Sequence, residues 1–146
     1  MICKKCGIGY IKEKKFQEGF MLNVLKQLKK DNIDYFQNPN KPYNIDEVID
    51  IGIKRKFMEF KCRTDSYVEN KTQVKFQPNQ MKAMSNKSID IIAIIRDHTI
   101  HPHHQLITKD NFDNIVNDKG RIKTNISESF ISYEELHKKV IEWLKS

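Results

Sequence analysis

The sequence predicts an α/β fold in which helices flank a β-sheet, ordered as helix, strands, helix, strands, helix. Three observations carry this. Apolar residues recur at helical spacing near the start (Phe20, Met21, Val24, Leu25, Leu28) and at the end (Leu136, Val140, Trp143, Leu144). The run "EVIDIGIKRKFMEFKC" at 47–62 alternates, as strands do when their faces differ. The segment "IDIIAII" at 89–95 is short, β-branched and apolar on both faces, which suits a strand covered on both sides. A chain of 146 residues is large enough for one sizeable core and is expected to form one domain over 14–146, preceded by a short Cys-bearing leader at 1–13.

The first helix is "KFQEGFMLNVLKQLKKDN", whose lysines gather at the C-terminal end and complement the helix dipole. Glu18 precedes Met21, Leu22 and Leu25 by three, four and seven positions, so it lies at the edge of the apolar face. "IDYF" reads as a short edge strand, and the Pro and Asn residues of "QNPNKPYN" mark a loop. The alternating run that follows divides around Lys54 and Arg55, which predicts a hairpin with its turn there. Asp50 then stands opposite Glu59, and Ile51 opposite Met58. One face carries Ile49, Ile51, Ile53, Met58, Phe60 and Cys62 as core, and the other carries Asp50, Gly52, Glu59 and Lys61 as a polar cluster.

Residues 64–75 are polar and read as a loop. Pro78 is placed as a first-turn residue of a short helix, "PNQMKAMSN", with Met81 and Met84 toward the core and Gln80 beside them. After the apolar strand, "HHQLIT" reads as its neighbour and "KDNFDNIVN" as a short helix. The final amphipathic helix opens on a capping box of Ser132 and Glu135.

The formal charge is +7, from 26 Lys and Arg against 19 Asp and Glu, and favours a polyanionic partner over the plainer reading of a generally Lys- and Asn-rich composition. No apolar segment approaches the roughly 20 residues needed to cross a bilayer, and "MICKKCGIGY" lacks the apolar core of a signal peptide, so the expected location is cytoplasmic. Three cysteines, two of them in a CxxC, do not suggest a disulfide framework.

Two carboxylates on adjacent strands, with Cβ atoms about 5 Å apart, repel unless a cation lies between them. Asp50 and Glu59 therefore make a candidate site for Mg²⁺ or Mn²⁺, to which the Phe60 carbonyl could add an oxygen. Lys61 shares their face, where it could position a water and balance phosphate charge. The plainer reading of the same residues is a surface salt bridge.

The order of a helix with Glu18, Asp50, "EFK" at 59–61, a helix with Gln80 and an apolar strand resembles the PD-(D/E)xK nuclease superfamily. "VIDIGIKRKFMEFKCRT", "KFQPNQMKAM" and "IDIIAII" are most similar to Holliday junction resolvases of the archaeal and RecU-like types. The resemblance implies a restriction-endonuclease-like core with a central mixed β-sheet flanked by helices. It implies a metal held by Asp50, Glu59 and Glu18, a catalytic Lys61 and a supporting Gln80, with Glu13 competing for the role of Glu18 and Gln77 for that of Gln80. It further implies a Mg²⁺-dependent homodimer that cuts DNA four-way junctions, small enough to be phage-encoded. The spacing of Asp50 and Glu59 is short for such resolvases and implies a clipped hairpin. Two alternatives are a restriction or repair nuclease cutting duplex DNA and a non-catalytic nucleic-acid-binding module. Lys54, Arg55 and Lys56, together with Lys71 and Lys75, are candidate phosphate contacts or simply solvated charge.

"CKKCG" has the form of one zinc-ribbon knuckle, so Cys3 and Cys6 could hold Zn²⁺ with two of His98, His101, His103 and His104; the favoured reading is a frayed terminus with free thiols and a His-rich loop. Cys62 belongs to the core face. The histidines alone are also considered as a His-metal nuclease centre, without the accompanying ββα pattern.

Overall fold

A computed structural model describes residues 11–63, 74–97, 103–121 and 130–146. The elements are α1 (Glu13–Lys30), β1 (Phe36–Gln37), β2 (Glu47–Ile51), β3 (Lys54–Arg63), α2 (Pro78–Ser85), β4 (Asp90–Asp97), β5 (His103–Ile107), α3 (Lys109–Ile115) and α4 (Tyr133–Lys145), with a short 3₁₀ turn at Pro42–Asn44. The strands form one mixed sheet in the order β1-β2-β3-β4-β5. Among the described residues only the β3–β4 pair is parallel. A parallel neighbour needs a crossover, and α2 lies within it.

The sheet separates two cores. Phe16, Phe20, Val24 and Leu28 of α1 pack with Leu136, Val140 and Leu144 of α4 against Ile49, Met58, Phe60, Ile92 and Ile94. On the opposite face Ala83 and Met84 of α2 and Phe112 and Ile115 of α3 cover Val48, Phe57, Ile91, Ala93 and Ile95. Successive residues of β4 thus serve the two layers in turn, which is why "IDIIAII" carries no polar alternation. Each such buried side chain is worth about 1.5–3 kcal/mol against exposure.

The hairpin differs from the expected one. Ile51 pairs with Lys54, Asp50 with Arg55, Ile49 with Lys56 and Glu47 with Met58, so the turn is Gly52–Ile53 and not Lys54–Arg55. Gly52 has φ +61° at the first central position, the arrangement of a type II′ turn, which glycine enters without steric cost. Ile53, expected in the core, is fully exposed at the tip. The face expected to be polar is also core at Val48 and Phe57. Its charged groups lie at the two ends, Asp50 and Arg55 by the turn and Glu59 and Lys61 beyond the end of β2.

Other boundaries move little. α1 begins at Glu13, and β1 is two residues at the end of "IDYF". Pro78 takes the first position of α2 after the cap Gln77, while Gln80 and Met84 are buried and Met81 is partly so. Ser132 accepts the Glu135 N–H and caps α4. Among the described residues no helix is long and apolar enough to cross a membrane.

Candidate active site

β3 outruns β2: the last pair is Glu47 with Met58, and the strand continues to Arg63. Beyond that point its edge has no strand partner among the described residues, and backbone N–H groups need acceptors. Two carboxylates supply them. Asp46 Oδ2 accepts from the Phe60 N–H at 2.8 Å, and Glu13 Oε1 accepts from the Cys62 N–H at 3.2 Å. Both groups of a strand residue face the same edge, so the Phe60 carbonyl is directed to this side as well. The loop before β2 and the start of α1 are drawn in because they carry those two acids.

The result is an open cleft of about 430 Å³ whose walls include Glu13, Lys41, Asp46, Glu59, Lys61 and Gln80. Glu59 is almost wholly buried. Its Oε1 accepts from the Asp46 N–H at 3.2 Å, and its Oε2 accepts from Gln80 Nε2 at 2.8 Å. Lys61 Nζ donates to Gln80 Oε1 at 2.9 Å and lies 3.5 Å from Glu59 Oε2. Gln80 Oε1 also accepts from the Gln77 N–H at 2.8 Å. One amide therefore joins the acid, the base and the first turn of α2.

Burial, and next the neighbouring Asp46 carboxylate, push the Glu59 carboxyl up to about 8. Burial also raises Glu13, with Lys61 opposing it. Two acids held so close in little water share a proton or a cation. Hard oxygen donors of this kind fit Mg²⁺ or Mn²⁺. Among the described residues no set of three or more His, Cys, Asp and Glu is gathered tightly enough to hold an ion by side chains alone. Mg²⁺ is commonly held by one or two carboxylates, with water and substrate phosphate completing its shell.

The structure brings together Glu59, Lys61 and Gln80 among the residues singled out in the sequence. It does not bring in Asp50 or Glu18. Asp50 is bound by Arg55 Nε at 2.8 Å and by Asn38 Nδ2 at 3.0 Å, and the Arg55 contact holds its carboxyl below the usual range. The reason is the register, which sets Arg55, and not Glu59, opposite it. Glu18 is exposed beside Lys14 and Lys15, outside the cleft, whereas Glu13 reaches in. Gln77 serves as the cap of α2.

Sequence reasoning missed Asp46. Its signal was present: a Gly-X turn at Gly52–Ile53 places Asp46 next in line against Glu59.

The basic stretch at 54–56 is also reassigned. Lys54 Nζ donates to the Ser146 carbonyl at 2.6 Å, and Arg55 pairs with Asp50. Lys56 is 1% exposed; its ammonium binds Asp90, the Trp143 carbonyl at 3.0 Å and Ser146 Oγ at 3.2 Å. A cation at the carbonyl end of α4 meets its dipole, so Lys56 anchors that helix and is not open to phosphate. Lys75 is exposed. Cys62 packs against the α1–α4 core, and burial pushes its thiol up to about 12. His104 is buried, stacked on Phe16 with Tyr133 at its edge, and is not a free zinc ligand. Cys3, Cys6, Lys71, His98 and His101 lie outside the described residues.

No family model matches the chain, and no curated protein matches it. Among solved structures it is similar to the 1.6 Å structure of Hjc from Archaeoglobus fulgidus, a Holliday junction resolvase from an archaeal hyperthermophile. The identity is 11% and the TM-score 0.46, over 83% of this chain and 94% of that one. A likeness at that level says nothing of what this chain does.

Proposed function

We propose that this chain is a metal-dependent DNA endonuclease whose working groups are Asp46, Glu59, Lys61 and Gln80, with Glu13 at the rim. The observation that carries the reading is the convergence of a buried, proton-retaining Glu59, a second carboxylate and a lysine ammonium in one cleft, linked by Gln80. Asp46 and Glu59, with the Phe60 carbonyl, would hold the ion. A bound divalent cation there supplies neutralisation of phosphate charge and acidification of water. Lys61, held by Gln80, presents its ammonium to a non-bridging oxygen of the phosphate. Gln80 keeps the Glu59 carboxylate turned into the cleft and stops Lys61 from collapsing onto it. Glu13 and Asp46, by occupying the free edge of β3, keep that edge open to substrate and closed to another strand.

The finer reading is a Holliday junction resolvase acting as a homodimer. What supports it is the motif order, which resembles that of junction resolvases with Glu13 and Asp46 standing in for Glu18 and Asp50; a homodimer would match the two equivalent scissile phosphates of a four-way junction. The test is cleavage of a labelled four-way junction beside a matched linear duplex, in Mg²⁺ or EDTA. Wild type is compared with Asp46→Ala, Glu59→Ala and Lys61→Ala. Paired, Mg²⁺-dependent nicks in the junction alone, lost in all three variants, uphold the resolvase. Cutting of both substrates leaves a duplex nuclease of the same chemistry. Binding without cleavage of either overturns the catalytic reading in favour of a binding module.

A further inference from the structure

The turn at 117–121 is folded against the segment that leads into α2. The Phe76 N–H donates to the Gly120 carbonyl at 2.7 Å, and Gly120 has φ +76°. A Cβ there would lie 2.6 Å from the Phe76 carbonyl oxygen, so the approach requires glycine. The contact sets Lys75 directly opposite Arg121 in an isolated antiparallel bridge, with both residues exposed. Like charges facing each other across a bridge are destabilising. Beside them runs an open groove of about 530 Å³ lined by Pro78 and Met81 above the buried Phe76 and by Lys75, Lys82 and Lys119. The one carboxylate there, Asp118, makes no ion pair with any of these cations among the described residues. The groove adjoins the cleft, because the Phe76 ring that floors it also carries the Lys61 ammonium 5.6 Å from its centre.

We propose that this groove binds the sugar-phosphate backbone of a DNA strand beside the scissile phosphate, with Lys75, Lys82, Lys119 and Arg121 taking successive phosphates. The inference rests on the nuclease reading and extends it to the path of the substrate. Lys75, Lys82 and Lys119 line one open groove and Arg121 stands across from Lys75, a concentration of positive charge that suits a polyanion. The exposed Pro78 and the partly buried Met81 offer apolar contact to sugar faces, and bound phosphates relieve the repulsion between Lys75 and Arg121. Such contacts fix the strand without reading sequence.

The test is the salt dependence of binding to a labelled linear duplex and to a four-way junction, in Ca²⁺ and without Mg²⁺. It compares wild type, Lys82→Ala, Lys119→Ala, the double variant, and Lys138→Ala on the exposed face of α4 as a distant control. Removing one lysine that neutralises a phosphate lowers the slope of log affinity against log salt by about 0.9, equivalent to binding about eightfold weaker near 0.1 M salt. Lys82→Arg is expected to retain wild-type binding. Ser85→Glu, an exposed substitution within the groove, is expected to weaken it. An unchanged slope and affinity in the double variant and in Ser85→Glu, with wild-type cleavage intact, overturn the groove alone. Absence of wild-type binding and cleavage on both DNAs overturns the nuclease reading with it.

Discussion

Gln80 donates through Nε2 to Glu59 Oε2 at 2.8 Å, while its Oε1 accepts from Lys61 Nζ at 2.9 Å. The Gln80 side chain is buried, so these bonds exchange with little water. Removing it takes one hydrogen bond from a buried carboxyl and one from an ammonium at once. Gln80→Ala is expected to cost about 1–3 kcal/mol of stability in chemical denaturation and to lower cleavage about 10–100-fold. Full activity in a folded Gln80→Ala protein would reduce Gln80 to a helix cap.

The two aspartates of "NIDEVIDIG" have different roles. Asp46→Asn is expected to abolish Mg²⁺-dependent cleavage, because it removes a negative oxygen from the cleft. Asp50→Asn loosens only the partly exposed contact with Arg55 and is expected to cost less than about 1 kcal/mol while leaving cleavage within a fewfold. The reverse pattern in a side-by-side cleavage assay would restore Asp50 to the site.

Glu59 gives the metal-free protein a particular pH dependence. Its carboxyl is raised in the folded state, so the native chain binds the extra proton, and stability falls as pH rises from about 4.5, the unfolded value, to about 8. The penalty is absent below that window and complete above it. Urea midpoints measured from pH 5 to pH 8.5 should decline in wild type and run flatter in Glu59→Gln. Mg²⁺ should release a proton on binding near neutral pH, which titration calorimetry in buffers of different ionisation enthalpy reads directly.

Gly120→Ala forces a side chain into left-handed backbone and against the Phe76 carbonyl. The backbone alone costs about 1–2 kcal/mol. The Phe76 segment must shift, so both a lower melting temperature and reduced cleavage are expected, with Lys61 losing the ring beneath it.

Lys56→Ala removes a buried cation that holds Asp90 and the carbonyl end of α4. A loss of about 1–3 kcal/mol is expected, because the last carbonyls of α4 lose a buried donor, while Asp90, half exposed, keeps the Trp143 indole N–H and water. DNA affinity measured at a temperature where the variant is folded should be unchanged. A selective loss of DNA binding would return the residue to the nucleic-acid surface.

The sequence by itself determined the helices, the two strands of wholly or partly alternating apolar pattern, and the face shared by Asp50, Glu59 and Lys61. These follow from local periodicity, which a 3.6-residue or a two-residue repeat writes directly into the chain. It also placed Gln80 one turn into α2, because Pro78 marks the helix start. It did not determine which residues stand opposite each other. The observed hairpin slides Ile51 from Met58 to Lys54, a shift of four residues. An even shift keeps every side chain on its own face, so the hydrophobic pattern was compatible with both registers. Only the assembled sheet decided between them. The positive φ of Gly52 fixes the turn, Ile53 goes to solvent and Lys56 is buried under α4. With that register, Asp46 reaches the free edge of β3 beside Glu59 while Asp50 is left to Arg55, because a carboxylate's partners are set by cross-strand distance and not by spacing along the chain.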